Sequence, residues 1–283
     1  MPIYRPSELH QFLQELGVSP KKGLSQNFLI DGNIIRKIVA CTQVSPKDLV
    51  LEIGPGPGCL SEELLQQDVK LLAIEKDQIM AKALERMQIA HKNLEIYCDD
   101  ILEFPIEQKL KENLQLNQQA ILVGNLPYHL TTPILVKLVK LYPLVSKIVV
   151  MVQEEVARRF TATPGASEYS SFTVFLNYYS HPRYAFMVRK TCFYPIPNVD
   201  SAVVILDLHH PPTLSNENAF FKMTRTAFGQ RRKMLRTSLK ELYRSDVVSQ
   251  ALIEIGRDEQ SRPETLSLED FIRLFNILSK NSH

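Results

Sequence analysis

A short apolar strand that runs straight into a glycine-rich turn constrains this chain more than any other feature. Residues 49–53 read Leu-Val-Leu-Glu-Ile, and Gly54-Pro55-Gly56-Pro57-Gly58 follows at once. Glycines at such a turn reach backbone conformations that other residues avoid, and they let a ligand lie close to the main chain. From Cys59 onward the pattern suits a helix. A strand, a glycine turn and a helix in that order predict the opening unit of a parallel α/β sheet.

The downstream pattern repeats this unit. Apolar runs at 69–74, 94–97, 120–125 and 147–153 have the length of buried strands, and each gap between them suits a helix. Two late strands at 183–190 and 201–208 predict an antiparallel hairpin on the sheet edge. The expected fold class is α/β, a Rossmann-like sheet of seven strands whose last is antiparallel. Helical spacing at 7–16 and 33–41 gives an N-terminal helical extension. After His209-His210-Pro211-Pro212 the strand signal stops. Residues 217–243, 246–256 and 267–279 read as helices, and Phe228, Leu235, Leu239 and Leu242 make an apolar seam on the first. The expected domains are therefore 1–210, with the ligand site, and 211–283, small and all-helical.

Composition narrows the function classes. With 45% hydrophobic and 23% charged residues, the chain is neither disordered, nor collagen-like, nor a coiled-coil rod. The four cysteines (Cys41, Cys59, Cys98 and Cys192) form no C-x-x-C pair, and the histidines show no zinc spacing. Reduced thiols, no metal and a cytoplasmic location are expected. No apolar run approaches membrane-span length and the first residues lack a signal-peptide core, so no membrane partner is expected. The formal net charge is only +2, which taken alone argues against a nucleic-acid binder.

The acids that end the later strands narrow the ligand. Glu75 ends the second strand, 21 residues beyond Gly54, where an acid can hydrogen-bond ribose hydroxyls. Asp99 and Asp100 end the third, on the same rim, and ligands of open α/β sheets bind at the carboxyl ends of the strands. The dinucleotide fingerprint needs a small residue at position 59, where Cys59 stands, and Gly58 comes one place early. A nicotinamide enzyme is thereby disfavoured. Acids reading ribose and adenine suit an adenosine ligand without phosphates. The E-x-G-x-G-x-G form resembles the first motif of S-adenosylmethionine-dependent methyltransferases.

Gly124-Asn125-Leu126-Pro127-Tyr128 ends the fourth strand beside that ligand. Pro127 biases Leu126 to an extended conformation, which fixes where its carbonyl points. Asn125 supplies a second oxygen acceptor. Tyr128 offers a ring on which a base can stack, worth roughly 1–3 kcal/mol. Two acceptors and a stacking face are what a purine's exocyclic amino group requires. Gripping the N–H groups of adenine N6 favours a pyramidal nitrogen and stabilises the positive charge that grows as it attacks a methyl group.

Together these motifs resemble the small-subunit ribosomal RNA adenine N6,N6-dimethyltransferases, the kasugamycin-sensitivity dimethylases. The resemblance runs from about residue 19 to 278. It is carried by Ser25–Leu29, Leu51–Ser61, Ala73–Asp77, Gly124–Tyr128, Val152–Arg159, Phe193–Ser201 and Phe228–Arg236. It implies a class I methyltransferase fold with adenosylmethionine as cofactor. Asn27 and Leu29 would close over the cofactor, Gly54 would touch its methionine part and Glu75 its ribose. Asp100 would take its adenine amino group; the Asp99–Asp100 pair leaves this open by one residue, and Ile101-Leu102 match the residues that follow the family's acid. Asn125, Leu126, Pro127 and Tyr128 would form the catalytic motif, with Asn125 also binding the cofactor, and Phe193 would add a second stacking face. The implied product is N6,N6-dimethyladenosine at two adjacent adenines near the 3′ end of 16S RNA. The implied partner is that RNA within a 30S assembly intermediate, met by a monomer. Ser25 stands where the family usually has Gly, and His129 where Tyr or Asn is commoner.

The near-neutral total also hides a local patch. Between 225 and 244, Arg225, Arg231, Arg232, Lys233, Arg236, Lys240 and Arg244 stand against Glu241 alone. In the expected helix, Arg232, Arg236 and Lys240 share one face. Such a run by itself reads as a solvated face. Beside a nucleotide-modifying domain, Arg231, Arg232, Lys233 and Arg236 become the expected RNA contacts, with Lys21, Lys22, Arg158 and Arg159 extending the surface. Two other readings share these motifs: a large-subunit adenine dimethylase of the macrolide-resistance type, and a non-catalytic assembly or transcription factor on the same fold.

Overall fold

The computed structural model describes residues 4–20, 26–230 and 232–280. Lys21, Lys22, Ser25 and Arg231 lie outside the described residues. The chain divides into two compact units, Met1–Ala157 with His181–His209, and Arg158–Ser180 with His210–His283.

The first unit is built on a seven-stranded sheet. Its strands are β2 (Leu49–Ile53), β3 (Lys70–Glu75), β4 (Leu94–Cys98), β5 (Ala120–Asn125), β6 (Val145–Gln153), β7 (Ser180–Val188) and β9 (Ser201–Leu208). Their order is β4-β3-β2-β5-β6-β9-β7. The pairs β3–β4, β2–β3, β2–β5 and β5–β6 are parallel, and β9 runs antiparallel to β6. All five residues of β2 are buried, as a central parallel strand covered on both faces requires. Helices α1 (Pro6–Glu15) and α2 (Gly32–Thr42) precede the sheet, the helices between its strands include α3 (Cys59–Leu65), α4 (Gln78–Gln88), α5 (Ile106–Asn113) and α6 (Thr131–Leu138), and α7 (Glu154–Phe160) follows β6. Asp31 caps α2 by accepting from the Asn33 and Ile34 amides, and Asp77 caps α4 by accepting from Ile79. The chain moves outward from β2 to β4 and returns to β5 beside β2. That reversal is the topological switch point. A separate two-residue ladder joins β1 (Phe28–Leu29) to β8 (Phe193–Tyr194), antiparallel.

The second unit is helical: α8 (Ser171–Tyr179), α9 (Glu217–Gly229), α10 (Leu235–Ser238), α11 (Ser245–Glu254) and α12 (Leu268–Lys280). The expected division after residue 210 placed 158–180 with the sheet. Those residues instead group with the later helices, because α8 is aromatic-rich. Phe175 and Tyr178 lie 5.0 and 5.1 Å from the Phe221 ring. The expected helix over 217–243 is also corrected. It stops at Gly229, a poor helix former, and Gln230 leaves the helical region (φ −131°, ψ 62°). Arg232, Arg236 and Lys240 therefore do not share one helical face. Among the described residues no helix is long and apolar enough to cross a membrane.

Candidate active site

A cleft opens at the switch point between the ends of β2 and β5. It encloses about 980 Å³ when the open solvent at its mouth is counted. Gly54 and Gly56 line it after β2, Glu75 and Lys76 after β3, Asp99, Asp100 and Ile101 after β4, and Asn125 through Leu130 after β5. Gln26, Asn27 and Phe28 line it from the N-terminal segment. A smaller cavity under the glycine turn shares Asn27, Gly54 and Asn125 with the cleft and adds Leu29 and Glu52. The residues expected to hold the cofactor thus line these two neighbouring cavities from five separate stretches of sequence.

The glycine turn is shaped by its neighbours. Gly56 has φ +55°, and a Cβ there would meet the Phe28 ring at 3.0 Å. Its amide donates to Glu75 Oε2 at 2.9 Å, and the Asp77 amide donates to Oε1 at 2.8 Å. Two main-chain donors hold the Glu75 carboxylate against the rim while its remaining lone pairs stay available to hydroxyl donors. Burial pushes the Glu75 pKa up, and the two amides oppose that rise. Gly124 meets the opposite demand of close approach, since a Cβ there would lie 2.6 Å from the Ile53 carbonyl oxygen.

Asp100 is held differently. Lys76 Nζ lies 2.7 Å from its Oδ2, and the Leu102 amide donates to Oδ1 at 2.9 Å. The Lys76 ammonium is the main reason its pKa lies below the usual carboxylate range. Lys137 on α6 fixes the same loop by donating to the carbonyls of Ile101, Leu102 and Phe104 at 3.0, 2.6 and 2.9 Å. Asp99 also lines the cleft, so both acids of the pair reach it.

Asn125 ends β5, and its Nδ2 donates to the Asn27 carbonyl at 3.1 Å. The amide group is thereby oriented with its NH2 toward the protein and Oδ1 as the acceptor side. Tyr128 opens a short 3-10 turn right after Pro127, and its hydroxyl meets Ser201 Oγ at 2.8 Å. Burial pushes the Tyr128 pKa up, so the phenol stays neutral. Phe193 is elsewhere. It is 1% exposed, lines neither cavity and pairs with Leu29 in the β1–β8 ladder. The structure therefore does not present it as a second stacking face.

Two site residues stand in motifs that the sequence reading singles out but receive no role from it. Glu52 is buried beneath the glycine turn, accepts from Ser61 at 2.5 Å and is pushed up to about 8 by desolvation. An acid inside an otherwise apolar strand was the visible signal for it. Ser201 ends the Phe193–Ser201 motif, and only the fold brings it to Tyr128. In the helical unit, Arg232 and Lys233 are exposed, whereas Arg236 pairs with Glu259 at 3.4 Å.

A parallel sheet with an antiparallel last strand, and a cleft where strand-end acids meet a glycine turn, define a class I adenosylmethionine-dependent methyltransferase fold. The solved 23S rRNA methyltransferase ErmE shares this fold with a TM-score of 0.70 and 27% identity, over 89% of this chain and all of that one. A dimethyladenosine transferase from Plasmodium falciparum has a TM-score of 0.77 at 24% identity, over 89% of this chain and 98% of that one. A model of the ribosomal RNA adenine dimethylase family matches residues 18–280, and the chain belongs to that family. Ribosomal RNA small subunit methyltransferase A of Protochlamydia amoebophila is 59% identical over 278 residues, 98% of each chain. Its counterpart in Chlamydia felis is 48% identical over 98% of this chain and 96% of that one. The protein is an enzyme, an rRNA adenine dimethyltransferase, and S-adenosylmethionine is its cofactor.

Proposed function

We propose that this chain dimethylates N6 of two adjacent adenines near the 3′ end of small-subunit ribosomal RNA. The observation that carries the reading is the Asn125 amide, turned by Asn27 so that its oxygen is the acceptor, beside the half-buried Tyr128 ring. Bound adenosylmethionine supplies an electrophilic methyl group. Asn27, Leu29, Gly54, Glu75 and Asp100 hold it, with Glu75 taking ribose hydroxyls and Asp100 the adenine amino group. Asn125 Oδ1 and the Leu126 carbonyl accept from the two N6–H bonds of the target base, and Tyr128 stacks on it. This grip stabilises the charge that develops on N6 and aligns the nitrogen for attack. No strong base is required, because N6 becomes acidic as its new bond forms and the proton leaves to water. The target adenine must be unpaired or flipped out, at a cost of a few kcal/mol.

The substrate is small-subunit RNA in a 30S assembly intermediate, met in the cytoplasm by a monomer that needs no metal. Arg232 and Lys233 contact the RNA backbone from the helical unit, with Arg231 beside them in sequence and Arg236 in a lesser role. The likeness to a 23S rRNA methyltransferase keeps large-subunit RNA as the competing substrate. The greater identity to small-subunit enzymes over nearly the full chain favours the first. A non-catalytic factor is disfavoured because Glu75, Asp100 and Asn125 all line one cleft. Labelled methyl transfer to undermethylated 30S particles, to large-subunit RNA and to buffer, followed by nucleoside analysis, tests this. Label confined to dimethyladenosine in 30S particles is expected. Label in large-subunit RNA alone would overturn it.

A further inference from the structure

We infer that Ser201 is a positioning residue that holds the Tyr128 ring for the second of the two methyl transfers to each adenine. The inference rests on the function proposed above and goes beyond it.

Ser201 is fully buried and opens β9, opposite Gln153 at the end of β6. Its hydroxyl lies 2.8 Å from the Tyr128 hydroxyl, 73 residues away in sequence. The adjoining backbone is fixed as well, since the Glu154 amide donates to the Asp200 carbonyl at 3.0 Å. Tyr128 is thus held at both ends. Its Cα follows Pro127, whose φ is set by its ring, and its hydroxyl is tethered to the sheet. A tyrosine tethered only by its backbone would keep freedom about χ1 and χ2. The pair removes that freedom before any base arrives, which is the geometric meaning of preorganisation.

The two transfers do not depend on this ring equally. In the first, adenine N6 carries two hydrogens, and Asn125 Oδ1 and the Leu126 carbonyl each accept one. The N6 lone pair forms the bond to the methyl carbon, the carbon–sulfur bond breaks with its electron pair left on sulfur, and one N6 proton passes to water. The product is N6-methyladenine, which keeps a single N–H. One of the two acceptors then has no donor, and the polar grip on the base is halved. Orientation of the methylated base falls more heavily on the stacking face. Loosening Tyr128 therefore slows the second transfer more than the first, and N6-methyladenosine accumulates.

The test compares wild type, Ser201→Ala, Tyr128→Phe and the double variant on undermethylated 30S particles. The readouts are the ratio of N6-methyladenosine to N6,N6-dimethyladenosine at matched turnover, the Kd for adenosylmethionine and the thermal midpoint. Each single variant should raise the mono-to-dimethyl ratio about fivefold, the equivalent of one hydrogen bond. The double variant should be no worse than either single, because both remove the same bond. The cofactor Kd should stay within about twofold of wild type, which a general structural defect would not allow. Ser201→Thr, which keeps the hydroxyl, should restore the wild-type ratio. An unchanged ratio in Tyr128→Phe, or strictly multiplicative effects in the double variant, overturns the inference. Should Ser201→Ala fail to fold, Tyr128→Phe removes the same bond from the cleft side. A wild-type protein that makes no dimethyladenosine in 30S particles would instead sink the proposed function.

Discussion

The side-chain amide of Asn125 donates to the main-chain carbonyl of Asn27 at 3.1 Å, across 98 residues of sequence. The bond ties the end of β5 to the N-terminal segment that lines the same cleft. It also decides which end of the Asn125 amide faces a substrate. Asn125→Ala should lower kcat by about a hundredfold or more, the cost of losing one preorganised acceptor. Adenosylmethionine affinity, measured by calorimetry, should remain mostly intact. Equal loss of both would assign Asn125 to the cofactor alone.

The Glu75 carboxylate takes two main-chain amides, from Gly56 and Asp77. Glu75→Gln puts an NH2 against one of those donors. We expect cofactor affinity to fall at least tenfold, with a loss of stability of about 1–3 kcal/mol from the unmatched amide. Titration calorimetry and denaturant melts read the two effects separately. A glutamine variant that binds the cofactor as wild type does would exclude the ribose role.

Gly124→Ala tests the close approach of β5 to β2. The added methyl would sit 2.6 Å from the Ile53 carbonyl oxygen, which is backbone and cannot swing away. Overpacking of this kind costs about 1–3 kcal/mol. A midpoint in urea equal to wild type would show that the strands have room to part.

Glu52 gives a pH signature. Burial raises its pKa from 4.5 to about 8. A folded pKa above the unfolded one means the stabilising contribution is complete below about 4.5 and is lost as pH rises through about 8. The cofactor-free protein should therefore lose stability across that window. Glu52→Gln, neutral throughout, should flatten the curve. Parallel curves for the two proteins would place the titration elsewhere.

For the helical unit, replacing Arg232 and Lys233 with Ala should shallow the salt dependence of RNA binding, by up to about one unit of slope per lost phosphate contact. Arg236→Ala should change it less, since Glu259 already shares that charge. Filter binding across a salt series measures the slopes, and no change in any variant would leave these residues as ordinary solvated charge.

The strands were legible in the sequence because a buried parallel strand is a continuous apolar run closed by punctuation. Residues 49–53, 120–125 and 201–208 have the bounds that their patterns give. The glycine turn and the acids after β3 and β4 were legible for the same local reason. The misreadings are all non-local or involve competing signals. The seam from Phe228 to Leu242 has helical period, but that period carries no information about a break at Gly229. Phe193 sits in a motif rich in aromatic and proline residues, yet its burial depends on pairing with Leu29 far away in sequence. Ser201 is one serine among many until the sheet closes around Tyr128.

The helical unit draws on two stretches of chain, 158–180 and 210–283, and this imposes an order on synthesis. Phe175 and Tyr178 are synthesised before Phe220 and Phe221, whose rings they meet in the folded unit. About forty residues separate the two sets, which at ordinary elongation rates is a wait of roughly two to eight seconds. During that wait the α8 segment lacks the rings of α9 that pack on it in the folded unit. Cutting after residue 209 would leave 158–180 behind without the rest of its unit, so isolating the sheet unit means removing that internal segment too.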